Sequence, residues 1–84
     1  MYKLYSHRSK RLLGWVRLNE LNTRGDTYSL SIAEGYRNIR KSWQHGAKFI
    51  LDKDGDTRVI LIPLLPTDKG IEIDFVFIEP EPIL

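Results

Sequence analysis

Three aspartates at alternating positions, Asp52, Asp54 and Asp56, surround Gly55 in the stretch ILDKDGDTRVILIP, residues 50–63. Carboxylates spaced this way on a tight loop are the chemistry of a hard cation such as calcium, which takes several oxygen ligands at once. The register of an EF-hand loop does not allow it. With Gly55 as the sixth-position glycine, the first ligand falls on Ile50 and the bidentate glutamate on Leu61. Asp-Gly between Phe49–Leu51 and Val59–Ile62 predicts the turn of a hairpin instead. The same carboxylates holding magnesium would suit a nuclease, but adjacent turn carboxylates are usually solvated, and no metal or cofactor is expected. Nucleophilic catalysis lacks its parts: there is no cysteine, no G-x-S-x-G elbow, and His7 and His45 lie in basic or turn contexts. His45, beside a helix end, is expected to interact with the last carbonyls. No phosphate loop or zinc ligand set is present, and the Arg24-Gly25-Asp26 tripeptide reads as chance. The expectation is a protein that is not an enzyme.

The cations carry more information than the acids. Residues 1–48 hold ten Lys or Arg against Glu20, Asp26 and Glu34, a net +7. Residues 49–84 hold Lys53, Arg58 and Lys69 against eight carboxylates, a net −5. A split this sharp within a formal charge of +2 implies a basic surface for polyanions and an acidic side facing solvent or a partner. Arg8, Lys10 and Arg11 sit in a basic loop, SHRSKR. Arg37, Arg40, Lys41 and Gln44 cluster on one face of a helical wheel, away from Tyr36, Ile39 and Trp43. Such a strip is either the solvated side of an amphipathic helix or a phosphate contact.

The elements that must position these groups read as mainly β with one short helix. Tyr2–Tyr5 predicts a short strand, and GWVRLNEL (14–21) a longer one, followed by a turn over Asn22–Asp26. TYSLSI alternates with Tyr28, Leu30 and Ile32 on one face, the period of a half-buried strand. Ser31 and Glu34 have the spacing of a capping box, which puts a helix start at about Ala33. Tyr36, Ile39 and Trp43 give the apolar stripe, and Gly46 the stop. After the hairpin, Pro63 and Pro66 end a strand, and IEIDFVF (71–77) alternates with Ile71, Ile73, Phe75 and Phe77 inward. Trp15 and Trp43 each fall in an apolar pattern and are expected in a core or dimer interface rather than stacked on bases. Eighty-four residues bury a limited share of their surface, so self-association is an economical way to complete a core. With no disulfide chemistry, no apolar run of signal-peptide length behind MYKLYSHRSKR and no span-length segment, a cytoplasmic protein without membrane contact is expected.

The order of strand, turn, strand, basic helix, glycine and hairpin, carried by YSLSIAEGYRNIRKSWQHGAKFILDKDGDTRVILIP with WVRLNEL before it, resembles the AbrB/MazE/SpoVT group of swapped-hairpin DNA-binding domains. The residues that carry the likeness are Arg37 on the helix, Gly46, the Asp-Lys-Asp-Gly turn and the closing aliphatic strand, over about residues 15–63. The resemblance implies a β-barrel formed by a homodimer whose two chains interlock their hairpins. It also implies double-stranded DNA as partner, with Arg17, Arg24 and Arg37 at positions that face the duplex and Arg40 and Lys41 extending that surface. The implied organisation is a basic N-terminal extension (1–14), a swapped-hairpin core (15–66), and an additional strand with an acidic, proline-bearing tail (67–84). The implied function is a transcriptional regulator or the DNA-binding half of a toxin–antitoxin pair. The alternative is a small phage or viral inhibitor that docks on a host protein through strand 71–77 and the EPEPIL end.

Overall fold

A computed structural model describes residues 1–24, 27–68 and 71–78, with backbone only for residues 20–24. Six strands and one helix follow in chain order: β1 (Tyr2–Ser6), β2 (Leu12–Arg24), β3 (Thr27–Glu34), α1 (Tyr36–Gln44), β4 (Phe49–Lys53), β5 (Asp56–Leu61) and β6 (Ile73–Phe77). They close into an antiparallel barrel in the order β1-β2-β3-β6-β5-β4, with β4 returning to β1. Every strand therefore has two neighbours from its own chain, and closure removes the free edges that an open sheet must protect.

Strand alternation explains which side chains fill the barrel. Leu4, Val16, Leu30, Phe49, Leu51, Ile60, Ile73 and Phe75 point inward and are buried. Tyr28, Phe75 and Phe77 add an aromatic group with ring centroids 4.9–5.9 Å apart. The chain between β5 and β6 then folds under one end, where Ile62 and Leu65 join Ile39 of α1 to plug it.

Nine residues make a helix too short to persist on its own, so packing must hold it. Ile39 is fully buried, and Trp43 packs beside it with its Nε1–H donating to the carbonyl of Ile62 at 2.8 Å. Tyr36 donates its hydroxyl proton to the Pro66 carbonyl at 2.6 Å. The predicted stripe of Tyr36, Ile39 and Trp43 is thus the face that docks. Gly46 ends the helix as expected: its N–H reaches Trp43 O and that of Ala47 reaches Ser42 O, the paired bonds of a Schellman motif.

Several expectations need correction. The capping box does not form: β3 runs on to Glu34, and Gly35, in the left-handed region at φ 88, caps α1 without a side-chain bond. Ser31 and Ile32 are paired with Arg17 and Val16 in the sheet, and Ile32 packs on the core, so sheet pairing outweighs the local capping preference. The turn placed over Asn22–Asp26 is shorter, because β2 continues to Arg24, which pairs with Thr27; Gly25 and Asp26 lie outside the described residues. Ile71 is 41% exposed rather than inward, since β6 begins only at Ile73. The short strand expected at Tyr2–Tyr5 is present as β1, and it seals the barrel between β2 and β4. Likewise β6, beyond the expected core, fills the gap between β3 and β5. The barrel that the swapped-hairpin resemblance builds from two chains closes here in one.

Candidate nucleic-acid interface

The acidic loop is a structural turn. Asp54 and Gly55 take positive φ of 55 and 91, as a tight Asp-Gly hairpin turn requires, and Asp52 Oδ1 accepts the Gly55 N–H at 2.9 Å. Asp52 is thus a turn-forming side chain, and among the described residues no group of three or more His, Asp or Glu is placed to hold a metal ion.

The cations collect at the other end of the barrel. The loop between β1 and β2 folds back on itself through Lys10 N–H to Ser6 O at 2.9 Å and Ser6 N–H to Arg11 O at 3.0 Å. It carries Arg8, Lys10 and Arg11, all exposed. His7 N–H reaches Lys48 O at 3.0 Å, which places Lys48, just before β4, against this loop. Ser9, Arg11, Leu12 and Leu13 form one wall of a cleft of ≈ 340 Å³ whose other wall is Asn38, Lys41 and Ser42 of α1. A neighbouring depression of ≈ 350 Å³ continues over Tyr36, Arg37, Arg40, Lys41 and Gln44. Loop and helix thereby join into one basic rim. Loop 7–11 and segment 35–48 contain no carboxylate, and among the described residues no ion pair engages Arg8, Lys10, Arg11, Arg37, Lys41 or Lys48.

The rim is brought together by backbone, at a point where only glycines fit. β2 crosses the start of α1 at Gly14 and Gly35. A Cβ on Gly14 would collide with the Glu34 carbonyl oxygen, and one on Gly35 would lie 2.7 Å from Gly14 Cα. This close approach presses the β1–β2 hairpin against the helix, which is what aligns Arg11 with Lys41.

Not every expected residue joins. Arg17 is exposed on the outer face of β2, six residues up the strand from Arg11, or roughly 20 Å at ~3.3 Å per residue. Arg24 ends β2, with its side chain outside the described residues. Arg40 is half-buried, and its Nη1 donates to Tyr36 Oη and to the carbonyls of Leu65 and Pro66 at 3.2–3.3 Å, so it ties the helix to the 62–66 segment. Trp15, expected in a core or dimer interface, is not in the barrel's core: it sits half-buried on the outer face, with Lys3 Nζ 5.5 Å from its ring and Glu34 as its β3 partner. Lys48, Ser9, Asn38 and Ser42 carry no sequence signal of a site. Their place in it arises from the pairing of β1 with β4 and the docking of the loop on α1.

Compared with known family models, curated proteins and solved structures, the chain matches none. Among the described residues no helix is long and apolar enough to cross a membrane.

Proposed function

We propose that this protein binds nucleic acid through the basic rim, with double-stranded DNA as the partner and transcriptional regulation as the role. What supports the reading is one observation: six exposed cations from two segments, 7–11 and 35–48, converge on one end of the barrel with no carboxylate in those segments. Cations held unpaired side by side repel one another, a cost that disappears when phosphates arrive and their counterions are released. Arg8, Lys10 and Arg11 of the loop, Arg37 and Lys41 of the helix, and Lys48 grip phosphates in this reading; Arg17 is peripheral, and Arg40 positions the helix.

Dimerisation by hairpin exchange has little support, since the strands already pair within one chain. The homodimer is retained only as two copies of the chain on one duplex, without exchange of hairpins. A second reading, docking of a protein partner on the C-terminal side, is favoured by Leu61, Leu64 and Ile71, apolar and 38%, 69% and 41% exposed.

The test is duplex binding across a salt series. Replacing Arg8, Lys10 and Arg37 together by alanine should weaken binding and flatten the slope of log affinity against log salt by about 3, near 0.9 for each phosphate left unneutralised. Light scattering with and without duplex gives the copy number. An unchanged slope, or wild-type protein that does not bind, rejects the proposal.

A further inference from the structure

A surface that grips phosphates needs cations and donors, and the depression lined by Tyr36, Arg37, Arg40, Lys41 and Gln44 sets them among the Tyr36 ring and the aliphatic stems of its long side chains. The cleft beside it adds uncharged hydrogen-bonding groups. One wall is apolar, formed by Leu12, which is 46% exposed, and Leu13; the facing wall carries the amide of Asn38 and the hydroxyl of Ser42. Arg11 and Lys41 stand on opposite walls. At ≈ 340 Å³ the cleft is open to solvent on one side and larger than a lone oxyanion requires.

Each part matches a part of one nucleotide. Unpaired bases taken out of a stack are held between apolar or aromatic side chains and read along their hydrogen-bonding edge. Leu12 and Leu13 supply the apolar face. Asn38 supplies an amide, which presents a donor and an acceptor together, and Ser42 a hydroxyl that does either. Arg11 and Lys41 supply the charge for the phosphate. A paired base inside a duplex presents neither a free face nor a free edge to such a cleft.

We infer that the cleft between the β1–β2 loop and α1 takes a single unpaired nucleotide of a nucleic-acid strand, its phosphate on Arg11 and Lys41 and its base against Leu12, Leu13 and Asn38. The inference rests on the phosphate-binding reading of the rim and adds to it a preference for an unpaired position, such as a strand end, a bulge or a flipped base.

The experiment compares two duplexes of equal phosphate count, one blunt and one ending in a short single-stranded overhang, against the wild type and the Leu12→Ala/Asn38→Ala double variant. Both side chains are exposed and uncharged, so the variant keeps the net charge, and an unchanged urea midpoint shows that it keeps the fold. The expected result is binding of the overhang tighter than the blunt duplex by roughly tenfold, the scale of one net hydrogen bond to Asn38 with apolar contact on Leu12. That preference disappears in the variant while blunt-duplex affinity stays put. Equal affinity of wild type for the two duplexes overturns the inference and leaves the rim reading standing, as does a preference that survives in the variant. No binding of either duplex removes both. Adenosine monophosphate bound as tightly as the overhang reassigns the cleft to a free nucleotide and overturns the strand assignment.

Discussion

The two ends of the barrel handle charge in opposite ways. At the hairpin end three ionic side chains are used internally: Asp52 accepts the Gly55 N–H, Lys53 Nζ lies 5.2 Å over the Tyr2 ring, and the Arg58 guanidinium stacks 4.1 Å over Phe77. At the helix end the architecture comes from backbone and apolar groups: the Gly14–Gly35 crossing, the Schellman turn at Gly46 and the buried Ile39. Its cations are left to solvent, except for Arg40. Charge that stabilises a turn is already committed to the fold, whereas charge that the fold does not use is free to meet a ligand. That difference is why the basic rim, and not the acidic turn, is the candidate site.

Glycine substitutions test the contrast most severely. Gly35→Ala adds a side chain at φ 88, costing about 1–2 kcal/mol for the left-handed backbone. It also drives a methyl into the Leu13 carbonyl and Gly14, worth about 1–3 kcal/mol or more of overpacking. Gly55→Ala has the same left-handed problem at φ 91 but meets nothing within 4 Å, so its loss should stay near 1–2 kcal/mol. Urea midpoints of the two variants give the comparison directly. Equal losses would mean that the crossing at the helix end is not the tight point the geometry describes.

The bonds that hold α1 to the 62–66 segment come next. Trp43→Phe keeps most of the ring packing but removes the indole donor to Ile62 O, a carbonyl on a residue 2% exposed. Stranding that acceptor should cost about 1–3 kcal/mol. Tyr36→Phe removes the bond to Pro66 O and the one accepted from Arg40, but Arg40 Nη1 keeps its own bonds to the Leu65 and Pro66 carbonyls, and the loss should be near ~1 kcal/mol, the lower end of the range for Trp43→Phe. Thermal unfolding of both variants ranks them, and the reverse order would show that Arg40 does not substitute for the hydroxyl.

These outcomes also mark what the residues announce by themselves. The hairpin at 52–57, the inward set Tyr28, Leu30 and Ile32 of TYSLSI, the stripe of Tyr36, Ile39 and Trp43 and the stop at Gly46 are local signals, each fixed by a turn chemistry or a short period, and each was legible, although Ser29 on the other face of that strand is buried as well. The start of α1 was not. Ser31 and Glu34 spell a capping box, but Val16 and Arg17 of the neighbouring strand hold Ile32 and Ser31 in a ladder. The closure of the barrel was hidden for the same reason, because β1 meets β4 across more than 40 residues of chain. Of the candidate site, the cations were visible as a sum and as two clusters. Their union was not, since it depends on Gly14 lying against Gly35. Arg40 illustrates the limit: its place on the polar face of the wheel agrees with Arg37 and Lys41, yet its length carries it back to the Leu65 and Pro66 carbonyls.

The smallest effect is the most discriminating for the contrast between the ends. Asp52→Ala removes an acceptor at 2.9 Å from an exposed turn, where water replaces much of the missing bond, so stability should fall by only about 0.5–1 kcal/mol. Asp52→Asn retains a side-chain oxygen for the Gly55 N–H and should stay close to wild type. Neither should alter duplex binding beyond about twofold. Asp52 stands four residues along the chain from Lys48, roughly 13 Å at ~3.3 Å per residue, which exceeds the ~8 Å over which physiological salt screens exposed charges. If both variants instead tightened DNA binding strongly at that salt, the carboxylates of the hairpin end would be opposing the rim across the barrel. Charge at the two ends would then be one field, and the division of labour between a structural end and a binding end would fail.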